Sequence, residues 1–321
     1  MIWLDSIEAN ENGDRVAALA LAEEVISLDE DHADAWFAVA QWTLPIDSRG
    51  KQQMPDMIQA SKSMAAIRRV VGLDPQNEHA WRIGGEIMVG HLGMLEHGLE
   101  WWEERKKAAP SDVLPYFEQV SILIRLGYFE EAGRYLDVLD EKIQSQPSKA
   151  LESRARRLRS IFEEQSSMEE EMRFEPQNSK DDSWGLISRM RKKKPISETY
   201  FLFMFVMPIV FLLASLSMML LAEVKYGTAI VMILIITLYF GIARLSRRLL
   251  LKVNRPESFL NRAIDIESSS GKVCVPSDIR DSKLYSHVIG RRTPAFQERL
   301  GMIEESSEQL PGKWRLAVPE L

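Results

Sequence analysis

The stretch that decides the fold is a pair of uncharged apolar runs, TYFLFMFVMPIVFLLASLSMMLLA at 199–222 and YGTAIVMILIITLYFGIA at 226–243. Residues 223–225 form a short polar break between them. A helix rises 1.5 Å per residue, so about 18 apolar residues are enough to cross a hydrocarbon core of roughly 30 Å. A buried hairpin in a soluble core is the alternative, but it gives no reason for basic clusters on both sides. The sequence therefore predicts transmembrane helices at 199–222 and 226–245.

Basic side chains flank this pair of runs on both outer sides. They are Arg189, Arg191, Lys192, Lys193 and Lys194 before the first run, and Arg244, Arg247, Arg248, Lys252 and Arg255 after the second. Short segments rich in Lys and Arg stay on the cytoplasmic side of a membrane. We therefore expect an integral, two-span protein with both ends in the cytosol and 223–225 as an outside turn. The cytoplasmic membrane is the simplest location, and an organelle membrane with the same topology is the alternative.

The charge distribution is uneven along the chain. Residues 1–182 carry 35 acidic and 20 basic side chains, whereas residues 183–321 carry 12 and 20. Nucleic-acid binding needs clustered positive charge, so the acidic half argues against a nucleic-acid partner. The basic surplus beside the runs suits the headgroups of a lipid bilayer. The one cysteine, Cys274, excludes an intrachain disulfide.

Residues 1–148 contain about four segments with a shared pattern. A glycine, a small residue five positions later and a large aromatic recur at similar offsets, the aromatics being Trp36, Trp81 and Tyr116. Apolar residues at three- and four-residue spacing indicate amphipathic helices, and Pro75 and Pro110 are expected to end two of them. A single helix pair cannot bury its apolar face alone, so such segments are expected to stack.

This pattern resembles the tetratricopeptide repeat (TPR), a helix–turn–helix unit of about 34 residues. The carrying features are the aromatic that opens each first helix, the Gly84-Gly85 pair, the turn glycines, the small residues Ala18 and Ala132, and the closing prolines. The second segment departs from the pattern through an extra loop at 45–55. The resemblance implies an all-α fold: a TPR-like helical hairpin solenoid, then the two-helix hairpin, then a small mixed or partly disordered tail.

In TPR proteins the first helix of each repeat lines a concave groove that takes extended peptides or helices. Carried onto this sequence, the groove candidates are Phe37, Gln41, Arg82, Glu86, Val89, Phe117, Ser121, Ile124 and Arg125. No Asn falls at a groove position in the second to fourth segments, so the resemblance does not extend to receptors for chaperone tails. It implies a protein partner that is bound through this groove.

Three segments connect or follow these parts. Residues 149–172 are charged on most faces and are expected to cap the stack. Residues 173–198 form a basic linker in which Trp184 suggests contact with the membrane interface, although an ordinary linker is the alternative.

The tail, 246–321, holds a helix start at Thr293-Pro294 and a helix candidate at 256–266. Its other features are a serine-rich break at 268–271 and two runs that we expect to be strands, 272–275 and 284–289. It is expected to dock on the repeats, to pair with another protein or to stay partly disordered.

No catalytic constellation emerges from the sequence. His91 and His97 lack the spacing of a zinc helix, and no phosphate-binding or nucleophile motif is present. We expect no enzyme activity, no cofactor and no metal; chemistry around Cys274 and His287 is supported by residue type alone.

The hypothesis we favour is a membrane-anchored TPR scaffold or adaptor that binds a protein partner at the cytosolic face. The alternative is a membrane assembly or translocation component whose hairpin packs with other membrane subunits. Small residues at Ala214, Ser215 and Ser217 motivate that alternative, and they also allow an oligomer through the hairpin.

Overall fold

The computed structural model describes residues 1–47, 49–221 and 226–320, without the side chains of residues 169–171, 247 and 248. Within these residues the regular structure is helical, and no strand is present. The chain divides into two compact units. The first comprises Met1–Asp181, Asn261–Ser277 and Val288–Leu321, and the second comprises Asp182–Leu260 and Asp278–His287. The fold class is therefore all-α.

The amino-terminal part of the first unit is a succession of helices in which each packs against the next. They are α1 (Ile2–Glu11), α2 (Arg15–Leu28), α3 (Ala33–Thr43), α4 (Met57–Leu73), α5 (Glu78–Gly85, continued by a π-helical turn, Glu86–His91), α6 (Leu95–Ala108), α7 (Leu114–Leu126), α8 (Phe129–Ser145) and α9 (Lys149–Glu171). Side-chain caps fix several starts, since Asp14, Asp56 and Asn77 each accept a backbone N–H from the first turn of the following helix. We call α1–α9 the array.

The glycine pair at the end of α5 lies where two helices approach most closely. A Cβ atom at Gly84 would collide with the Trp101 ring of α6, and one at Gly85 would collide with the Trp102 ring. Trp101 also donates its indole N–H to the carbonyl of Trp81, 2.9 Å away. Two buried indoles thus fill the space that the missing side chains leave, which explains why small residues are needed here.

The carboxy-terminal residues of the first unit dock on the array. The helices α14 (Arg255–Ser270) and α17 (Pro294–Ser306) are followed by an extended segment to residue 320. Thr293 caps α17 through the Phe296 N–H, as the sequence predicts. Phe296 and Ser268 lie so close to the positive-φ Gly93 that a Cβ there would collide with both. Of the three states open for the tail, the structure shows docking on the array for its parts in the first unit, Asn261–Ser277 and residues 288–320.

Two predictions for the tail are wrong. Residues 284–289 lie in a helix, α16 (Lys283–Ile289), because Ser282 caps it and Leu284 and Val288 are buried one turn apart. Of the expected serine-rich break at 268–271, Ser268, Ser269 and Ser270 form the last turn of α14, and the chain breaks at Gly271, which has a positive φ. The serines are satisfied by neighbours, since Ser269 accepts the Glu96 N–H and Ser268 donates to the Leu92 carbonyl. At 272–275 the structure has an isolated bridge, Val273 to Gln309, instead of a strand.

The second unit contains two helices long and apolar enough to cross a membrane. The first runs over Glu198–Leu221 through α11 (Glu198–Phe201), a π-helical turn (Leu202–Val206) and α12 (Met207–Leu221). The second is α13 (Gly227–Val253), which packs against α12. Most of their large side chains are exposed, among them Phe211, Met219 and Phe240. The predicted break at 223–225 and Ala222 lie outside the described residues.

Polar contacts close the base of this hairpin. The side chain of Asn254, directly after α13, accepts the backbone N–H of Ile196 at 3.1 Å and donates to its carbonyl at 2.8 Å. The unit also contains α10 (Asp182–Met190), the start of α14 up to Leu260, most of α15 (Ser277–Arg280) and α16 up to His287. Trp184 and Ile187 on α10 are buried within protein. The indole expected at a lipid interface is therefore packed among protein groups.

Candidate partner-binding site

The nine groove candidates lie on α3, on α5 with its π-helical turn, and on α7, but they do not share one environment. Gln41, Arg82 and Glu86 are exposed. Phe37, Val89, Ser121 and Arg125 are half-buried, whereas Phe117 and Ile124 are buried. The accessible part of the predicted groove is therefore confined to α3 and α5.

Gln41 and Glu86 meet at one cavity of about 360 Å³. Arg15, Ile83 and His91 also line it. Arg82 does not line this cavity, because it lies beside His79, with its Nη2 atom 2.7 Å from the imidazole Nδ1. The structure thus assembles two of the three exposed candidates around a concave, mixed polar and apolar surface.

Arg15 of α2 shapes this cavity from its floor. Its guanidinium donates to the carbonyls of Trp42 at 3.0 Å and Leu44 at 2.7 Å, and also to that of Gln41. These carbonyls belong to the end of α3, where a helix leaves its last acceptors unsatisfied. Burial lowers the pKa of Arg15 from its ordinary value. Arg15 therefore holds the carboxyl end of α3, and with it Gln41, against α2.

His91 lies at the other side of the same cavity. Burial lowers its pKa, and the nearby Glu86 carboxylate opposes part of that shift. Neither ring nitrogen meets a hydrogen-bond partner within the described part of the chain. The imidazole therefore lies buried at the wall of the cavity, near the Glu86 carboxylate.

One of the α7 candidates is covered by α9. Phe117 is capped by the Arg154 guanidinium of α9, whose Cζ atom lies 4.6 Å from the ring centroid. Arg154 also pairs with Glu118 at 2.6 Å, and Arg159 pairs with Asp140. The helix at 149–171, expected to cap the stack, therefore covers the face of α7 that the resemblance assigned to a partner.

Arg125 is engaged by the tail. It forms a two-pronged pair with Asp265 of α14, with Nε 3.1 Å from Oδ2 and Nη2 2.9 Å from Oδ1. Arg292 adds a third contact to Asp265 at 3.0 Å. Burial by itself would lower the pKa of Arg125, but the charge and hydrogen bonds of Asp265 outweigh it and raise the pKa. This side chain is already paired within the chain.

Sequence reasoning missed Asp265, Arg292 and Arg15. The position of Asp265 between Ile264 and Ile266 could have indicated a buried ion pair. A carboxylate on a buried helix face needs a cationic partner. Nothing in the sequence identified which cation. Arg15 gave no signal, since its partners are main-chain carbonyls that every residue carries.

The other sequence candidates have local roles. The basic flanks Arg189, Arg191, Lys192, Lys193, Lys194, Arg244 and Lys252 are exposed, and the side chains of Arg247 and Arg248 lie outside the described residues. The Cys274 thiol donates to the Ala263 carbonyl at 3.3 Å. His287 lies 3.9 Å from the Glu257 carboxylate.

Comparison with known proteins gives no further assignment. No protein-family model matches the sequence, and no curated protein matches it.

Proposed function

We propose that this protein is a membrane-anchored, TPR-like adaptor that holds a protein partner at the cytosolic face of a membrane. The carrying observation is the exposure of Gln41 on α3 and of Arg82 and Glu86 on α5 and its π-helical turn, with a cavity lined by Gln41 and Glu86. Opposite charges at Arg82 and Glu86 would fix the orientation of the partner, and the half-buried Phe37 would give it apolar contact. The two apolar helices would anchor the array in the cytoplasmic membrane.

Site-specific photocrosslinking in the full chain, kept in its membrane, tests the binding site. A photoreactive residue at Arg82 is expected to give a discrete heavier adduct that disappears when Glu86→Arg is added. The matched control is the same residue at Arg68, an exposed arginine on α4. Equal adducts from both positions, or an adduct that is indifferent to Glu86→Arg, would contradict the assignment.

The proposed topology has its own test. In a Cys274→Ser background, single cysteines are placed at Asn10, at Val224 and at Ser307. An impermeant maleimide applied to intact cells is expected to label the Val224 position alone, and all three positions after lysis. Labelling of Asn10 or Ser307 in intact cells would place that end outside and remove the proposal of a cytosolic adaptor.

A second candidate function is a membrane assembly component whose hairpin packs with other spans. The exposed apolar side chains of α12 and α13 favour it, because they leave a broad surface for either lipid or protein. Ser215 contributes little to such contacts, since its hydroxyl already donates to the Phe211 carbonyl of its own helix at 2.9 Å. Crosslinking from Ala214 and Met218 distinguishes the two, because protein adducts support the candidate and lipid adducts alone count against it.

A further inference from the structure

The last described residues of the chain lie on the array as a turn at Gly312 and Lys313 followed by an extended segment from residue 314. We call residues 310–320 the strap. Two tyrosine hydroxyls of the array hold its main chain: Tyr128 accepts the Leu316 N–H at 2.7 Å, and Tyr135 donates to the Pro319 carbonyl at 2.9 Å. Both contacts are with backbone atoms, so they do not depend on which side chains the strap carries.

The side chains of the strap alternate in exposure. Leu316 is buried, and Trp314 and Val318 pack against the core of the array. Arg315 and Ala317, between them, are exposed. This period of two is that of an extended chain with one face on a surface. Main-chain hydrogen bonds combined with alternate apolar contacts are how many domains recognise extended peptides.

The strap does not fill the surface on which it lies. A cavity of about 1000 Å³ remains between Gly312–Leu316, the residues after α9 and the turn from α7 to α8. A second cavity of about 360 Å³ lies beside Pro319, between it and Arg134. A segment with sparse packing and exposed neighbours opens at a lower free-energy cost than the helices beneath it. The strap can therefore leave the array with less disturbance than the helices beneath it.

We propose that the surface around Tyr128 and Tyr135 is a peptide-binding site that the strap occupies in cis. Its occupant in trans is an extended segment of a protein partner with large apolar side chains at alternate positions. The hydroxyls would take the main chain of that segment as they take the strap's. This site is separate from the cavity at Gln41 and Glu86, and the inference does not rest on the proposed function.

The covalent connection between α17 and the strap determines how easily a separate peptide can replace the strap. A short covalent connection from α17 keeps the strap at an effective concentration on the order of millimolar. A free peptide that matches the strap must overcome that concentration, so it binds the intact chain weakly. Removing or weakening the strap is expected to uncover the site.

The test uses the full chain in detergent micelles and a fluorescent peptide of the strap sequence, LPGKWRLAVPE. Anisotropy titrations compare the intact chain, a chain that ends at Ser307 and the full-length variant Leu316→Asp. Binding to the shortened chain and to Leu316→Asp is expected to be at least about tenfold tighter than to the intact chain. In the control peptide, LPGWKLRVAPE, the residues at the positions of Trp314, Leu316 and Val318 are each exchanged with the preceding residue, so the apolar side chains would point away from the array. This peptide should bind neither the shortened chain nor Leu316→Asp.

The two hydroxyls are tested in the shortened chain. Tyr128→Phe and Tyr135→Phe should each weaken peptide binding roughly two- to tenfold, because each removes one hydrogen bond. Unchanged affinity in both variants, or equal binding of the permuted peptide, would overturn the assigned geometry.

Each remaining outcome also decides the question. If circular dichroism shows native helix content but neither released variant binds the peptide, the surface is not a peptide site. If both variants lose their helix content, the strap is an integral part of the fold and the proposal fails. A dimer of the intact chain that disappears on shortening would assign the surface to a second copy and overturn the choice of a separate partner.

Discussion

The array has an open half and a closed half. In the open half, α3 and α5 leave Gln41, Arg82 and Glu86 accessible, and Gln41 and Glu86 line a cavity. In the closed half, α9 covers Phe117, and Asp265 from the tail engages Arg125. The same kind of sequence position therefore faces solvent on α3 and α5 but faces protein on α7.

This difference shows what a repeat pattern conveys. The pattern marks residues on one side of a helix, and that side stays free only where no later segment packs on it. In this chain the later segments are α9 and the tail, which lie beyond the repeats in sequence. Substitutions and pH changes can measure how much the packing of each half contributes to the free energy of unfolding.

The largest expected effect is in the closed half, at Asp265. This carboxylate is 5% exposed and holds two guanidinium groups, so Asp265→Ala would leave two partly buried cations without it. The free energy of unfolding should fall by about 3–5 kcal/mol, toward the lower end because Arg125 keeps some contact with water. Urea unfolding of the full chain in micelles measures it. The control, Asp140→Ala, breaks the exposed pair with Arg159 and should cost no more than about 1 kcal/mol.

A smaller effect is expected in the open half, at Gly85. Gly85→Ala places a methyl group against the Trp102 ring and should lower the free energy of unfolding by about 1–3 kcal/mol. Gly72→Ala on α4 is the matched control, because no atom lies within 4 Å of its added Cβ. That change should stabilise the protein by about 0.5–1 kcal/mol. Equal effects of the two variants would show that the approach of α5 to α6 is looser than described.

Alkaline pH should act on the closed half through Tyr135. Burial, with help from Glu103 and Tyr116, raises the pKa of Tyr135 to about 12. The unfolded chain therefore ionises this phenol first, so its contribution to stability is complete below about pH 10 and is lost as the pH rises toward 12. Tyr135→Phe should flatten that decline in urea titrations.

Mild acid should act on the open half through His91, with the smallest effect of the four. The pKa of His91 is lowered by burial, so the unfolded chain takes up a proton first as the pH falls below about 6.5. Stability should decrease as the pH falls below that value, and His91→Leu should remove that decrease. His97→Leu, at an exposed position, is the control. A decrease that persists in His91→Leu would assign it to another group.

Part of the candidate site was predictable from the sequence. Helical periodicity placed the groove candidates on helices, and the glycine pair at Gly84-Gly85 indicated a close approach. The sequence did not separate Arg82 from Arg125, because both are arginines on a predicted inner face. Only the position of Asp265, 140 residues further along the chain, distinguishes them.

The tail shows the same limit in secondary structure. Residues 284–289 form a short apolar run, for which strand and helix periodicities cannot be told apart. The structure has a helix here, because burial of Leu284 and Val288, one helical turn apart, favours it over a strand. The serines at 268–270 favour a break by composition, but acceptors and donors on the array keep them helical.

The sequence by itself determined the helical class, two helices apolar enough to cross a membrane, and the basic clusters at their ends. These features depend on local periodicity, length and charge, which neighbouring residues specify. Only the tertiary structure decided which inner-face residues stay accessible, that the tail docks on the array, and that Tyr128 and Tyr135 hold an extended strap. Those outcomes depend on pairs of groups far apart in the chain, and burial and hydrogen bonding between them leave no periodic trace in the sequence.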